Sequence, residues 1–383
     1  MPKEGVFVLN NSLLDEGELG LSQEEGSIWN DFLTDTSEIH IFRGLNLNEN
    51  VFARAEPSEL TATIYNSNID PTMNDRIDPN SPVRLLVEVD SEWETLFTGT
   101  LRNLKVTYDK ETHDPTVSIT AYDLVHKMVN KQTYVLDEET FAERMATLAA
   151  AAGTTITVDG GTVDLAPKET PVPIWDLFNI AANSEGGVVY PNRQGTLEAI
   201  GRDGTPRTPV IEFADTHGEF DDHFSEEFAL YNPLHSCYTK IDIAYDTTAV
   251  ANSLSIRNIS TVDAEGNDVE EDLGTYEDND SVIQYGEAAQ SITTNLVDVG
   301  DVDALVTQVF SNFATPKRRV NSITYRPDQY WQTLVDVGDS VSVVFHNSNW
   351  DTVIDETFMV VGVDHDITPE RWETTLNLFK EVN

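Results

Sequence analysis

The chain has 383 residues and a mass of 42.7 kDa, enough for two or three domains of roughly 150 residues each. Its 23 Lys and Arg stand against 67 Asp and Glu, and the net charge of −44 at pH 7 excludes an unaided grip on a nucleic-acid backbone. A single cysteine, Cys237, excludes an internal disulfide or a thiolate cluster, and no apolar run approaches the ~18 residues of a membrane-spanning helix.

The start, Met1-Pro2-Lys3-Glu4-Gly5, lacks the basic and apolar stretches of a signal peptide, so folding in a cytoplasm is expected. Acids spread along the whole sequence, and the basic residues divide into 14 Arg and 9 Lys. Self-repulsion on such a surface destabilises the compact state in dilute salt. Molar salt shortens the Debye length to about 3 Å and removes most of that cost. A halophilic host fits, and so does an acidic mesophilic protein that keeps DNA and partners off its surface.

Between residues 59 and 123 the sequence alternates with period 2, in Leu60-Thr61-Ala62-Thr63-Ile64, in 83–89 and in Val117-Ser118-Ile119-Thr120-Ala121. These are half-buried strands, separated by Asn-, Asp- and Pro-rich turns at 66–71 and 78–82, and they predict an antiparallel barrel or sandwich. The period then changes. Asp137 is placed to cap a helix with apolar face Phe141, Met145, Leu148 and Ala152, stopped by Gly153. A second helix is expected from Pro173, burying Ile174, Leu177, Phe178 and Ala181 and ending at Gly186-Gly187. Strands at 155–158, 187–190 and 196–200 complete a small α/β module. Beyond Pro209 the acidic stretch 263–268 reads as a hairpin tip, and a helix from Asp301 with Leu305, Val309 and Phe313 ends before Pro316. Strands return at 341–343, 358–363 and 372–379.

The search for chemistry yields little. His217, Asp221, Asp222 and His223 form the densest group of metal-ligand types, yet they read better as a solvated acidic loop. His365 lies between Asp364 and Asp366, where a carboxylate would raise its pKa, and reads as a satisfied structural histidine. The stretch from Asp263 fails the calcium-loop pattern, because Gly266 falls at its fourth position. Nucleophile-elbow, zinc-protease and phosphate-loop motifs are missing from the sequence. No catalytic, cofactor or metal residue is therefore assigned. Lys317-Arg318-Arg319, the one run of three basic residues, reads as ion pairs within the fold or at a subunit contact.

Several landmarks recur in an order known elsewhere. They are residues 54–63 followed by Asn66, Leu96-Phe97-Thr98-Gly99-Thr100-Leu101, and residues 117–124 ending in Ala121-Tyr122-Asp123-Leu124. Next come residues 182–187 with Gly195-Thr196-Leu197 and Arg202, then Ser281-Val282-Ile283-Gln284-Tyr285-Gly286, and residues 316–320. Val337-Gly338-Asp339-Ser340, residues 360–365 with Gly362, and Trp372-Glu373-Thr374-Thr375-Leu376 close the series. The arrangement resembles the tail hub proteins of long-tailed phages and archaeal tailed viruses, which include the baseplate hub of contractile tails.

The resemblance implies a mainly β fold with α/β inserts, two tube-like antiparallel β-barrels plus two small α/β modules. Residues 1–134 would form the first barrel, 135–208 a small α/β module, 209–245 with 318–383 the second barrel, and 246–317 an inserted module with one helix. It implies a homotrimer whose two barrels per chain mimic six subunits, fitting a sixfold tail tube or distal-tail ring to a threefold tip. Expected partners are the distal tail or tail tube protein, tip or spike and receptor-binding proteins and the tape measure protein, with viral DNA only in transit. Location would be the virion tail tip or baseplate, after assembly in the host cytoplasm, without cofactors or membrane insertion. Asn66, Gly99, Asp123, Tyr285, Gly286, Gly338, Asp339 and Gly362 would be structural motif residues, and Lys317, Arg318 and Arg319 a subunit interface. A trimer would carry three times −44, repelling DNA from a channel wall. Two other readings remain: a cell-envelope hydrolase using Asp221 and Asp222 in the loop 215–227, or a carbohydrate receptor site on Tyr330, Trp331 and Trp350.

Overall fold

A computed structural model describes residues 5–9, 36–46, 54–65, 70, 79–89, 92–133, 135–168, 171–205, 207–214, 235–245, 250–262, 268–317, 319–327, 329–347, 349 and 351–379. Asn66, His217, Asp221, Asp222, His223, Arg318, Trp350 and the loops 215–227 and 263–267 lie outside the described residues.

The N-terminal part forms β1 (Gly5–Leu9), β2 (Thr36–Asn46), β3 (Arg54–Ala55), β4 (Glu59–Ile64), β5 (Pro82–Val89), β6 (Glu92–Tyr108) and β7 (Pro115–Tyr122). Alternation turns Leu60, Ala62 and Ile64 of β4 and Val117, Ile119 and Ala121 of β7 inward, where they meet Leu85, Val87 and Phe97 in one core. The sequence pattern did not single out β2, because its inward Ile39 and Ile41 are followed by a buried Arg43.

The middle part holds α1 (Val125–Met128), β8 (Gln132–Thr133), β9 (Glu139–Thr140), α2 (Phe141–Ala152), β10 (Ile156–Asp159), β11 (Asp164–Leu165), β12 (Val172–Pro173), α3 (Ile174–Glu185), β13 (Val188–Pro191) and β14 (Leu197–Ile200). Both main helices sit where their apolar spacing places them, and each ends on a left-handed glycine, Gly153 or Gly186. The cap of α2 is Thr140, not Asp137. Thr140 Oγ1 accepts from Glu143 N at 3.3 Å while Glu143 Oε2 accepts from Thr140 N at 3.0 Å, a reciprocal box that Asp137 is too far upstream to make.

The C-terminal part contains β15 (Ile211–Ala214), β16 (His235–Ala244), β17 (Ser253–Val262), β18 (Asp268–Glu277), β19 (Ala289–Thr294), β20 (Arg319–Tyr325), β21 (Ser340–His346), β22 (Thr352–Thr368) and β23 (Arg371–Phe379). Strands β15, β16 and β20–β23 close into a six-stranded barrel. Between β16 and β20 lies a separate sheet of β17, β18 and β19, where Val262 faces Asp268 across the 263–267 connection. The helix Val302–Phe313 matches its expected position. A second helix, Asn279–Tyr285, adds to the one expected in this insertion; it buries only Ser281 and so carries no apolar periodicity to read. Among the described residues no helix is long and apolar enough to cross a membrane.

The two barrels repeat one topology. The order β1-β5-β6-β7-β4-β2 matches β15-β21-β22-β23-β20-β16, and in both the first pair is parallel and the other four are antiparallel. A parallel β15–β16 pair closes the second barrel, whereas among the described residues no β1–β2 pair closes the first; in both, the described parallel pairing involves only β1 or β15. Two of the irregularities repeat too, while the slips at Leu85/Leu86 in β5–β6, Phe345/His346 in β21–β22 and Asp242/Ile243 in β16–β20 have no counterpart among the described residues. The β6–β7 ladder slips between Leu101 and Asn103, as β22–β23 does between Val360 and Gly362. The β2–β4 ladder slips between Thr36 and Glu38, as β16–β20 does between Tyr238 and Lys240. The turns entering β5 and β21 place Asn80 and Gly338 at φ of 76° and 86°, a region that favours Asn and Gly. Each donates its N–H to the long strand, Asn80 to Leu101 O at 2.7 Å and Gly338 to Val360 O at 2.8 Å.

Candidate assembly site at the barrel junction

The barrels are joined by an antiparallel β2–β22 ladder running from Ile39 opposite Ile367 to Gly44 opposite Gly362. A Cβ on Gly44 would stand 2.8 Å from the Gly362 Cα, so the two sheets approach closely here because neither residue has a side chain. Gly362 also lies at a bulge of the β22–β23 ladder, where a Cβ would meet Asn377 Nδ2 at 2.8 Å.

On the inward face of this ladder Arg43 forms a buried ion pair with Asp336, in the turn leading to β21. Asp336 Oδ2 also accepts from the backbone N of Arg193, in the β13–β14 connection, at 3.0 Å. The Arg193 guanidinium donates to the Leu334 carbonyl and lies 3.8 Å from Glu94 of β6. One carboxylate thus ties together the first barrel, the middle module and the second barrel. Asp339, expected as a motif residue, holds this turn by accepting from Asp336 N at 2.8 Å, and burial pushes its carboxyl up. Gly338 serves the same turn; a Cβ there would run into the Tyr190 ring. Arg207 bridges the Gly338 carbonyl and Glu198, both at 3.0 Å, and Glu198 accepts from Tyr190 at 3.1 Å. A cavity of about 330 Å³ opens beside this network, lined by Arg193, Glu198, Trp331, Asp336 and Asp339 among others.

His365 is fully buried in the ladder, with Nδ1 2.9 Å from Thr374 Oγ1. Burial, then Arg43 and His40, push its pKa down to about 3, which corrects the expectation of a raised value. The physical reason is strand alternation: Asp364 and Asp366 point to the opposite face, where Asp364 lies 2.9 Å from His40 instead. Among the described residues the Nε2 of His365 has no hydrogen-bond partner, so the histidine is structural without being fully satisfied.

The remaining motif residues lie elsewhere. Gly99 in β6 leaves room for the Phe97 ring and the Tyr122 carbonyl, each 2.6 Å from where a Cβ would be. Asp123 is buried and accepts from Ser58 N at 3.0 Å and Val125 N at 2.9 Å, fastening the end of β7 to the start of β4 and to α1. Burial raises its pKa to about 6 against these hydrogen bonds. Tyr285 and Gly286 end the helix Asn279–Tyr285, with the Gly286 carbonyl accepting from Asn252 Nδ2 at 2.8 Å. Lys317 and Arg319 donate to the Ser311 and Asn312 carbonyls at the end of Val302–Phe313, and Arg319 lies 5.0 Å from the Phe313 ring centroid. Arg43, Arg193 and Asp336 were missed by sequence reasoning. Only the Asp336-Val337-Gly338-Asp339 turn offered a local signal, and it pointed to the glycine.

Two barrels of one topology, joined edge to edge and flanked by α/β modules, make a fold shared with solved tail proteins. The chain is similar in structure to a tail protein from Neisseria meningitidis, with TM-score 0.58 and 15% identity over 90% of this chain and 92% of that one. The 43 kDa tail protein of prophage MuSo2 from Shewanella oneidensis gives TM-score 0.53 and 12% identity, over 90% of this chain and 92% of that one. An E. coli component of the type VI secretion system, described as structurally similar to T4 bacteriophage tail proteins gp27 and gp5, gives TM-score 0.50 and 8% identity, over 91% of this chain and 74% of that one. No family profile matches the sequence, and no curated protein does. At these identities the likeness lies in the fold.

Proposed function

We propose that the chain is a tail hub: a structural, non-catalytic virion protein whose three copies present six barrels around the tail axis. The observation that carries this is the repetition of strand order, bulge positions and turn geometry in the two barrels. A unit that carries the same cylinder twice can meet a sixfold ring with three chains, and closed cyclic symmetry is the common solution for homo-oligomers. In this reading residues 1–134 and 209–245 with 318–383 are the barrel domains, with 135–208 and 246–317 as the modules between them. The ring mates with a tail tube or distal tail protein on one side and with tip, spike or receptor-binding proteins on the other, and the tape measure protein and then DNA pass through it. The acidic surface keeps that DNA from adhering to the wall.

Light scattering on the purified protein at low and molar salt tests the reading. The expected mass is three times 42.7 kDa, favoured by molar salt because the chain carries −44. A stable monomer at both salts, also in the presence of the partner ring protein, contradicts it.

A further inference from the structure

The repeat within the chain identifies two strand edges that no described strand covers. Within one chain, residues 39–44 of β2 pair with residues 362–367 of β22. Aligning the barrels through their shared bulges makes residues 241–245 of β16 equivalent to 39–43 of β2, and residues 104–108 of β6 equivalent to 363–367 of β22. In the second barrel β16 uses one edge for β20 and the other, over residues 235–237 only, for β15. In the first barrel β6 pairs with β5 only as far as Thr100, and with β7 along its other edge. Among the described residues no strand ladders against the outer edge of 241–245 or of 104–107, and Tyr108, at the end of β6, donates its hydroxyl to Asp70.

We propose that these two edges pair with each other between copies, β16 of one chain antiparallel to β6 of the next, in the register that β2 and β22 adopt within the chain. Ile241 then faces Tyr108, Asp242 faces Thr107, Ile243 faces Val106, Ala244 faces Lys105 and Tyr245 faces Leu104. This deepens the hub reading and rests on it for the number of copies in the ring.

Exposure supports the pairing. Ile41 is 0% exposed but its equivalent Ile243 is 36%; Ile367 is 6% but Tyr108 is 47%; Arg43 is 2% but Tyr245 is 73%. On the proposed inward face Ile241, Ile243 and Tyr245 would meet Leu104, Val106 and Tyr108, all of them apolar or aromatic. Bare strand edges bearing apolar side chains are a liability that folded proteins cover. Charge supports it as well. Within the chain His40 reaches diagonally across the ladder to Asp364 at 2.9 Å. The equivalent diagonal pair between copies is Asp242 with Lys105, opposite in sign again although reversed in order. Asp242 already has Lys240 at 2.7 Å, on a half-open surface that leaves its carboxylate within reach of a second cation.

The contact is heterologous, using different surfaces on the two partners, so each copy offers one edge and accepts at the other. Repetition gives either a closed ring or a filament.

The test is cross-linking in a Cys237→Ser background, with Val106→Cys and Ile243→Cys separately and together, and with Thr107→Cys and Asp242→Cys as the adjacent register pair. Oxidation of a double variant should give covalent dimers and then a covalent trimer that does not grow further, while each single variant stays uncoupled. Since cysteine in a strand can unsettle a barrel, a charge exchange provides the second arm. Asp242→Lys or Lys105→Asp alone should weaken assembly at least tenfold in low salt, and the two together should restore it. If light scattering shows trimers but neither register pair cross-links and the exchange restores nothing, the edge pairing is overturned and the hub reading stands. Ladders that pass three copies support the pairing and overturn the threefold ring. Monomers at both salts with no cross-link overturn both.

Discussion

The two barrels share a strand order and two bulge positions but not an interior. In the first, residues of β2 and β4–β7 pack among themselves, joined from outside only by a few side chains such as Ile367 and Trp372. In the second, Ile323, Val341, Val343 and Leu376 belong to one continuous apolar cluster with Phe141 of α2, Trp175 of α3, Leu254 of β17 and Leu305 of the last helix. Backbone pairing and turn geometry therefore fix the cylinder, whereas the outward side chains decide what is built onto it. The apolar core of both modules is continuous with the second barrel, and the middle module touches the first through Trp175 Nε1 donating to the Ala55 carbonyl and Arg193 beside Glu94. A ring of such chains would alternate lean and loaded barrels, which breaks sixfold symmetry to threefold.

The sharpest way to break this comparison is at the polar seam between the barrels. Arg43→Ala or Asp336→Ala leaves a buried charge without its partner and should cost about 3–5 kcal/mol, read from urea denaturation. The double variant should cost less than the sum of the singles. A loss below about 1 kcal/mol for either single would show that the seam does not hold the barrels together.

The equivalent turns give the next contrast. Gly338→Asn keeps a residue that tolerates positive φ but drives a Cβ into Tyr190, so about 1–3 kcal/mol should be lost. Asn80→Gly at the matching turn of the first barrel meets no such ring and should change stability by less than about 1 kcal/mol. Equal effects at the two turns would contradict the view that the second barrel is the loaded one.

Two buried titratable groups pull the pH dependence in opposite directions. His365 is neutral in the fold, with a pKa of about 3 against 6.5 ordinarily. The unfolded chain therefore binds its proton first, and stability falls as pH drops from about 6.5 towards 3. Asp123 is raised from 3.8 to about 6, so its contribution is fully present below 3.8 and is lost as pH rises through 6. His365→Val installs the residue found at the equivalent position of the first barrel, Val106. It should flatten the acid limb by up to about 1.4 kcal/mol per pH unit, even though Thr374 loses a hydrogen-bond partner. Asp123→Asn should steepen the same limb. Denaturation midpoints from pH 3 to 8 check both signs.

The smallest effect lies outside both barrels. Thr140→Ala removes the reciprocal cap of α2 and should cost about 1 kcal/mol without altering assembly. A loss of assembly in this variant would mean that the middle module, not the barrel edges, makes the subunit contact.

What was legible in the sequence follows from how local each signal is. Period-2 runs at 60–64 and 117–121, the 4-3-4 spacing of α2 and the glycines that end α2 and α3 depend on neighbours a few residues apart, and all stand in the structure. Gly338 and Gly362 were recognisable for the same reason, since turn and bulge chemistry is local. The junction was not legible. Arg43, Arg193 and Asp336 are brought together from positions separated by more than a hundred residues, and nothing next to any of them marks it as buried. His365 shows the reverse failure: adjacent carboxylates suggested a charged neighbourhood, and strand alternation sent them to the other face. Two related barrels were expected from the resemblance, but which positions correspond was not legible, because equivalent positions hold unlike residues, Asn80 for Gly338 and Asn103 for Gly362, and only the register of pairing reveals the match.

In the proposed hub one chain supplies two equivalent barrels to a threefold ring. Electron microscopy of the purified protein in molar salt tests it most directly, by counting barrels and their symmetry in class averages. Six barrel densities around an open or plugged centre, alternately lean and loaded, with threefold symmetry are expected. Isolated two-barrel particles, or rings whose barrels are all alike, would contradict it.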